Sequence, residues 1–145
     1  MLPPLNQNGD LPTGMHPANW AELMQRFGTG SEARQRALAK LRLLHDLAQR
    51  TGKLSRFLIF GSFVSAAPNP RDVDVILVMA ADFKHEAAPR ESQTLFSHAD
   101  AEARFGASIF WLREGMLPAD IEQEFFDTWQ TKRDGTKRGI VEVRR

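Results

Sequence analysis

Cysteine is absent from the 145-residue sequence, which excludes a disulfide framework and any thiolate metal site. No apolar run approaches the roughly 20 residues that span a bilayer, so no membrane association is expected. The opening residues 1–10 hold no basic patch followed by an apolar core, so no signal peptide is expected and a cytoplasmic location is. Charge of one sign is also scarce: 19 Lys and Arg against 18 Asp and Glu leave a net charge of +1. That balance rules out neither nucleotides nor proteins as partners. What is present is ordinary for a globular chain, 42% hydrophobic and 26% charged, and long enough to bury one core without staples. Residues 1–17, with four of the eight prolines, read as an irregular arm, and 18–145 as a single domain.

The stretch Phe57–Met79 organises the rest. It holds two apolar runs, Phe57–Phe60 and Val73–Met79, each with the length and composition of a buried strand. Gly61-Ser62 closes the first, and the turn Pro68-Asn69-Pro70 leads into the second. Asp72-Val73-Asp74 opens the second run. Residues i and i+2 of a strand share a face, so both carboxylates should project together, roughly 7 Å apart at Cα. Two acids at the mouth of a buried strand repel and lose solvation, and a cation between them relieves both costs. Gly61 lets backbone approach a ligand closely, and Ser62 offers a hydroxyl and an N–H where a phosphate can sit.

An apolar strand, Gly61-Ser62, a nine-residue spacer and Asp72-x-Asp74 on a second apolar strand resemble the nucleotidyltransferase superfamily, above all its small stand-alone bacterial members. The resemblance covers about Leu54 to Leu112, and more loosely the tail Trp129–Val143. It implies an α/β (α+β) fold with a small mixed sheet packed by helices. It also implies that Asp72 and Asp74 hold Mg²⁺ on a nucleoside triphosphate, ATP being the first choice, while Gly61 and Ser62 contact the phosphates. Small members of this kind often act in toxin–antitoxin modules, modifying a partner toxin or a tRNA. The physical need agrees, since phosphoryl-type transfer depends on charge neutralisation and in-line positioning. The likeness departs at one point. A third carboxylate usually projects from a later strand, but the matching run Ala107–Leu112 has none. Ser108 stands where it is sought, with Asp100 well before the strand and Glu114 past its end. The resemblance therefore also allows a catalytically silent chain that binds and neutralises a partner protein.

The remaining segments read from periodicity and punctuation. A short helix starting at Asn19 or Pro17 runs to Phe27, with Trp20, Leu23, Met24 and Phe27 on one stripe. Ser31 caps a long helix from Glu32 to about Arg50 whose apolar stripe is Leu38, Leu41, Leu44 (or Leu47) and Ala48, with Arg34 and the other cations largely outside it. Ser62–Ala67 reads as a short helical turn. Ala80–Arg104 holds one or two helices with a break near Pro89. Gly106 introduces a third strand, 107–112, and Pro118 starts a helix to Trp129 with Ile121, Phe125 and Trp129 aligned. Asp134-Gly135 between two β-compatible arms signals a C-terminal β-hairpin.

Other candidates are weaker. Arg71 either touches a nucleotide phosphate or pairs with Asp72. The basic tail (Lys132, Arg133, Lys137, Arg138, Arg144, Arg145) reads first as a charge-protected hairpin edge and second as a phosphate or RNA surface. The four histidines show no i, i+4 metal spacing. Trp111, Trp129, Phe125 and Phe126 read as core, with a base-stacking platform as the alternative. Ser62 lacks the surroundings of a hydrolase nucleophile.

Overall fold

Apolar alternation in the centre of the chain builds a five-stranded mixed sheet, seen here in a computed structural model that describes residues 2–144. Its order is β1-β5-β2-β3-β4, with β1 Met15–Ala18, β2 Leu54–Phe60, β3 Val73–Met79, β4 Ala107–Arg113 and β5 Ile140–Val143. β2 runs antiparallel to both β3 and β5, while β3–β4 and β1–β5 are parallel pairs. The helices are α1 Trp20–Phe27, α2 Glu32–Gln49, α3 Arg90–Gln93, α4 His98–Phe105 and α5 Ala119–Trp129. The class is thus α+β with a mixed sheet. Among the described residues, no helix is long and apolar enough to cross a membrane.

Strand period divides the core in two. Val73, Val75, Leu77 and Met79 of β3 join Phe57, Ile59, Ala107 and Ile109 on the face covered by α1 and α2. Ile76, Val78, Leu58, Phe60 and Leu112 point the other way, where Phe126 of α5 meets them. The helix starts follow local chemistry. Asn19 caps α1 in a reciprocal box with Glu22, and the Ser31 hydroxyl accepts from the Arg34 N–H at 3.2 Å to cap α2. Short helices cover narrow strips, and there the expected stripes rotate slightly: Met24 and Ile121 are exposed, and Phe126 rather than Ile121 anchors α5.

Three expectations need correction. The arm 1–17 is not irregular throughout, because residues 15–17 enter β1, Leu2 and Leu11 are buried in the core, and buried Asp10 takes a 2.9 Å ion pair from Lys132. The C-terminal β-hairpin does not form as a two-stranded unit. The turn at Asp134-Gly135 exists, closed by a Thr131–Lys137 bridge, but Ile140–Val143 leaves it to lie between β1 and β2. Ile140 and Val141 are apolar on both faces of the strand and are buried completely, which a two-stranded ribbon cannot provide. Arg34, read as lying outside the α2 stripe, is 7% exposed. It escapes the usual cost of burial because its guanidinium finds a full set of carbonyl acceptors.

Candidate functional site

Gly61 ends β2 with φ +86° and ψ −162°, a conformation that L side chains rarely adopt. Space forbids a side chain as well, since a Cβ there would overlap the Asp74 carboxylate. Asp74 sits in β3 opposite Phe60 in the β2 register and opposite Ser108 in the β4 register. The expected third strand therefore lies where the sequence put it, with Ser108 as the neighbour of Asp74. Its hydroxyl hydrogen-bonds the carboxylate.

Burial holds the Asp74 carboxyl above the usual carboxylate range. The Arg138 guanidinium pulls it back, the Asp72 charge pushes it up further, and the Ser108 hydrogen bond lowers it. Arg138 is the site residue that sequence reasoning missed, having been counted only with the basic tail. It arrives through the segment after α5, its N–H donating to the Gln130 carbonyl at 2.8 Å. Its Nε is buried and, among the described residues, has no hydrogen-bond partner. The only hint in the sequence is that Gly139 follows it: a Cβ at 139 would strike the Pro12 carbonyl, which fixes where the chain must pass.

Asp72 lies in a bend just before β3. The Asp72 carboxylate turns towards Gly106, whose carbonyl accepts from Lys40 at 3.4 Å, while Asp74 leans on Gly61. The two acids are electrostatically coupled, the Asp72 charge acting on Asp74. Ser62 opens a single 3-10 turn, Ser62–Val64, and its carbonyl accepts from Ser65 Oγ at 2.7 Å. Arg71 is exposed and lines a cleft against α2 with Arg36 and Lys40; among the described residues it has no ion pair with Asp72. Glu114 is displaced to the far end of β3, where its N–H donates to the Met79 carbonyl and its carboxylate accepts from Ser55. Asp100 is exposed on the first turn of α4. Neither supplies a third acid. Among the described residues, no group of three or more His, Cys, Asp or Glu side chains gathers as a metal cluster.

The loop after Gly61 is held from beneath by Arg34. Its guanidinium donates to the carbonyls of Phe27 at 3.0 Å, Phe63 at 2.8 Å and Ser65 at 2.7 Å, and to Ala67. Phe27 and Phe63 flank it. Ser31 adds a bond from its hydroxyl to the Pro68 carbonyl at 3.2 Å. The start of α2 thus fixes the whole segment between the two strands that carry the site.

A family model described as a family of unknown function, DUF6932, matches residues 3–144. The chain belongs to DUF6932. No curated protein and no solved structure matches it. In this DUF6932 chain, then, Gly61, Asp74 and Ser108 meet, the charges of Arg138 and Asp72 act on Asp74, and Ser62 and Arg71 stand at the margins.

Proposed function

We propose that this DUF6932 protein is a Mg²⁺-dependent nucleotidyltransferase, moving a nucleoside monophosphate from a nucleoside triphosphate, ATP first, to a hydroxyl of a protein or RNA. The observation that carries the reading is the Asp74 carboxylate lodged against a positive-φ Gly61 with the Asp72 charge acting on it. The donor set fits Mg²⁺: two carboxylates supply hard oxygen ligands, and the repulsion between them and the burial of Asp74 are costs a divalent cation offsets. When bound, Mg²⁺ would neutralise charge on the triphosphate. The chain's own groups do the rest. The missing Cβ at Gly61 makes room for the Asp74 carboxylate, and the half-exposed Ser62 beside it offers a hydroxyl and an N–H to phosphate oxygens. The Arg138 charge acts on Asp74, and the exposed Arg71 precedes Asp72 in the chain. A role within a toxin–antitoxin pair, with a partner toxin or tRNA as acceptor, extends this reading.

One observation favours a second reading. Beside Asp74 stands a hydroxyl, Ser108, which at neutral pH cannot serve as a general base for an acceptor. On that ground the alternative is a catalytically silent protein that binds and neutralises a partner. Incubation with labelled nucleoside triphosphates, Mg²⁺ and cell extract separates the two. Transfer predicts label on a protein or RNA and release of pyrophosphate, both falling to background in Asp72→Asn/Asp74→Asn while the fold persists. Absence of pyrophosphate release with every acceptor hands the lead to the silent reading.

A further inference from the structure

Two clefts flank the first half of α2, and Asn69 lines both. One, about 560 Å³, runs between α2 and the 69–71 turn and carries Arg36, Lys40 and Arg71 against a single acid, Glu32. The other, about 480 Å³, continues past the start of α2 and adds Arg26. Sharing the Asn69 wall, the two make up a trough lined by five cations and one carboxylate; of the cations, Arg34 is buried and engaged with main-chain carbonyls, which leaves Arg26, Arg36, Lys40 and Arg71. Glu32 does not cancel the excess, since it already faces Arg36 at 3.5 Å with both side chains largely exposed. The Lys40 ammonium reaches the Gly106 carbonyl, and both it and an Asp72 carboxylate oxygen lie beside the Gly106 Cα. One end of the trough therefore lies near Asp72.

We propose that this trough binds the phosphate backbone of single-stranded nucleic acid and leads it towards Asp72. Shape and charge point there together. A single phosphate would need one compact anion hole, whereas Arg36 and Lys40 stand one helical turn apart, with Arg71 on the opposite wall and Arg26 beyond. Spaced cations along a continuous groove suit a chain of evenly spaced charges. The inference rests on the transferase reading only for the role of the strand as acceptor; binding itself does not depend on it.

The test is fluorescence anisotropy with short labelled oligoribonucleotides and oligodeoxyribonucleotides of equal length over a salt series, with no metal or nucleotide added. Wild type should bind with a steep salt dependence, and the tighter of the two oligomers names the strand chemistry. Arg36→Gln/Lys40→Gln should weaken binding at least about tenfold at low salt and reduce the salt slope by about two. Arg36 is exposed and Lys40 half-buried, and circular dichroism verifies the fold. Glu32→Gln should tighten binding, an effect that mere packing would not give. Asp72→Asn/Asp74→Asn should bind the oligomers at least as tightly as wild type, since it removes negative charge near the Lys40 end of the trough. Equal affinity of wild type and the Arg36/Lys40 variant would overturn the proposal. So would competition by poly-glutamate as effective as by the oligomer, which would assign the trough to an acidic protein. Oligomer binding through Arg36 and Lys40 with no nucleotide transfer would leave the trough standing and remove the transferase reading; transfer without such binding would do the reverse.

Discussion

Arg34 and Asp74 are both charges drawn into the protein, on either side of the same Gly61–Ala67 segment, and they are treated in opposite ways. Arg34 donates to four main-chain carbonyls from two segments; its pKa falls because of burial alone. Arginine stays charged in spite of such a shift. Asp74 has one hydroxyl, a like-charged neighbour and a guanidinium that neutralises it only in part, and its pKa rises. A fully satisfied buried charge is a fastener: it contributes most by never changing. A buried charge left short of partners is expensive to keep and gains them only from something outside the chain. The contrast separates framework from site without reference to any relative.

The sharpest way to press the contrast is to give Asp74 a neighbour it lacks. Ser108→Asp should raise nucleotide transfer by about 10²–10⁴-fold, the usual range for a positioned general base, as measured by pyrophosphate release under saturating Mg²⁺ and nucleotide. A wild type that already transfers briskly and is silenced by Ser108→Asp would mean that the base lies elsewhere. The next effect falls on the fastener. Arg34→Met fills the space but leaves the carbonyls of Phe63 and Ser65 without their donor, and each costs about 1–3 kcal/mol. A loss of at least about 3 kcal/mol in urea unfolding is expected, with the slope unchanged. Stability equal to wild type would mean that water replaces the guanidinium and that Arg34 fastens nothing.

The smallest effect is in pH. Because the folded pKa of Asp74 lies above its unfolded value, the native state holds this proton more tightly. The contribution of Asp74 to stability is complete below the ordinary carboxylate range and is lost as pH rises through the raised pKa. Asp74→Asn should therefore raise the thermal midpoint by a few degrees at neutral pH, and the difference should close as pH falls below the ordinary range. A lower midpoint at neutral pH would make Asp74 a structural acid and void its role in the site.

What the sequence disclosed was local. The runs 57–60 and 73–79, the Ser31 cap, the Gly61 break and the third strand with Ser108 follow from period and punctuation within a few residues. The departures all depend on residues far apart in the chain. Arg34 looked like a solvated helix cation, and only the carbonyls at 63, 65 and 67 make its burial tolerable. Arg138 looked like one more charge in a basic tail, and only the path of the 130–139 segment brings it to Asp74. The tail itself is mostly engaged: Lys132 with Asp10, Lys137 with the Thr131 hydroxyl at 2.5 Å, and Arg144 with Glu142 at 3.4 Å. No pattern in residues 1–17 marks Met15–Ala18 as a strand, because its partner lies more than a hundred residues later.

That last pairing imposes an order on assembly. β1 hydrogen-bonds within the sheet to β5 alone, and β5 must slot between β1 and β2 before β1 has anything to hold. β1 thus finds its place in the sheet only once a segment more than a hundred residues later has been made. Until then β2 presents a bare edge, and Asp10 lacks the lysine that neutralises it. β1 is thus a latch that only β5 can close: without residues 140–143 in place, Met15–Ala18 has no strand to pair with.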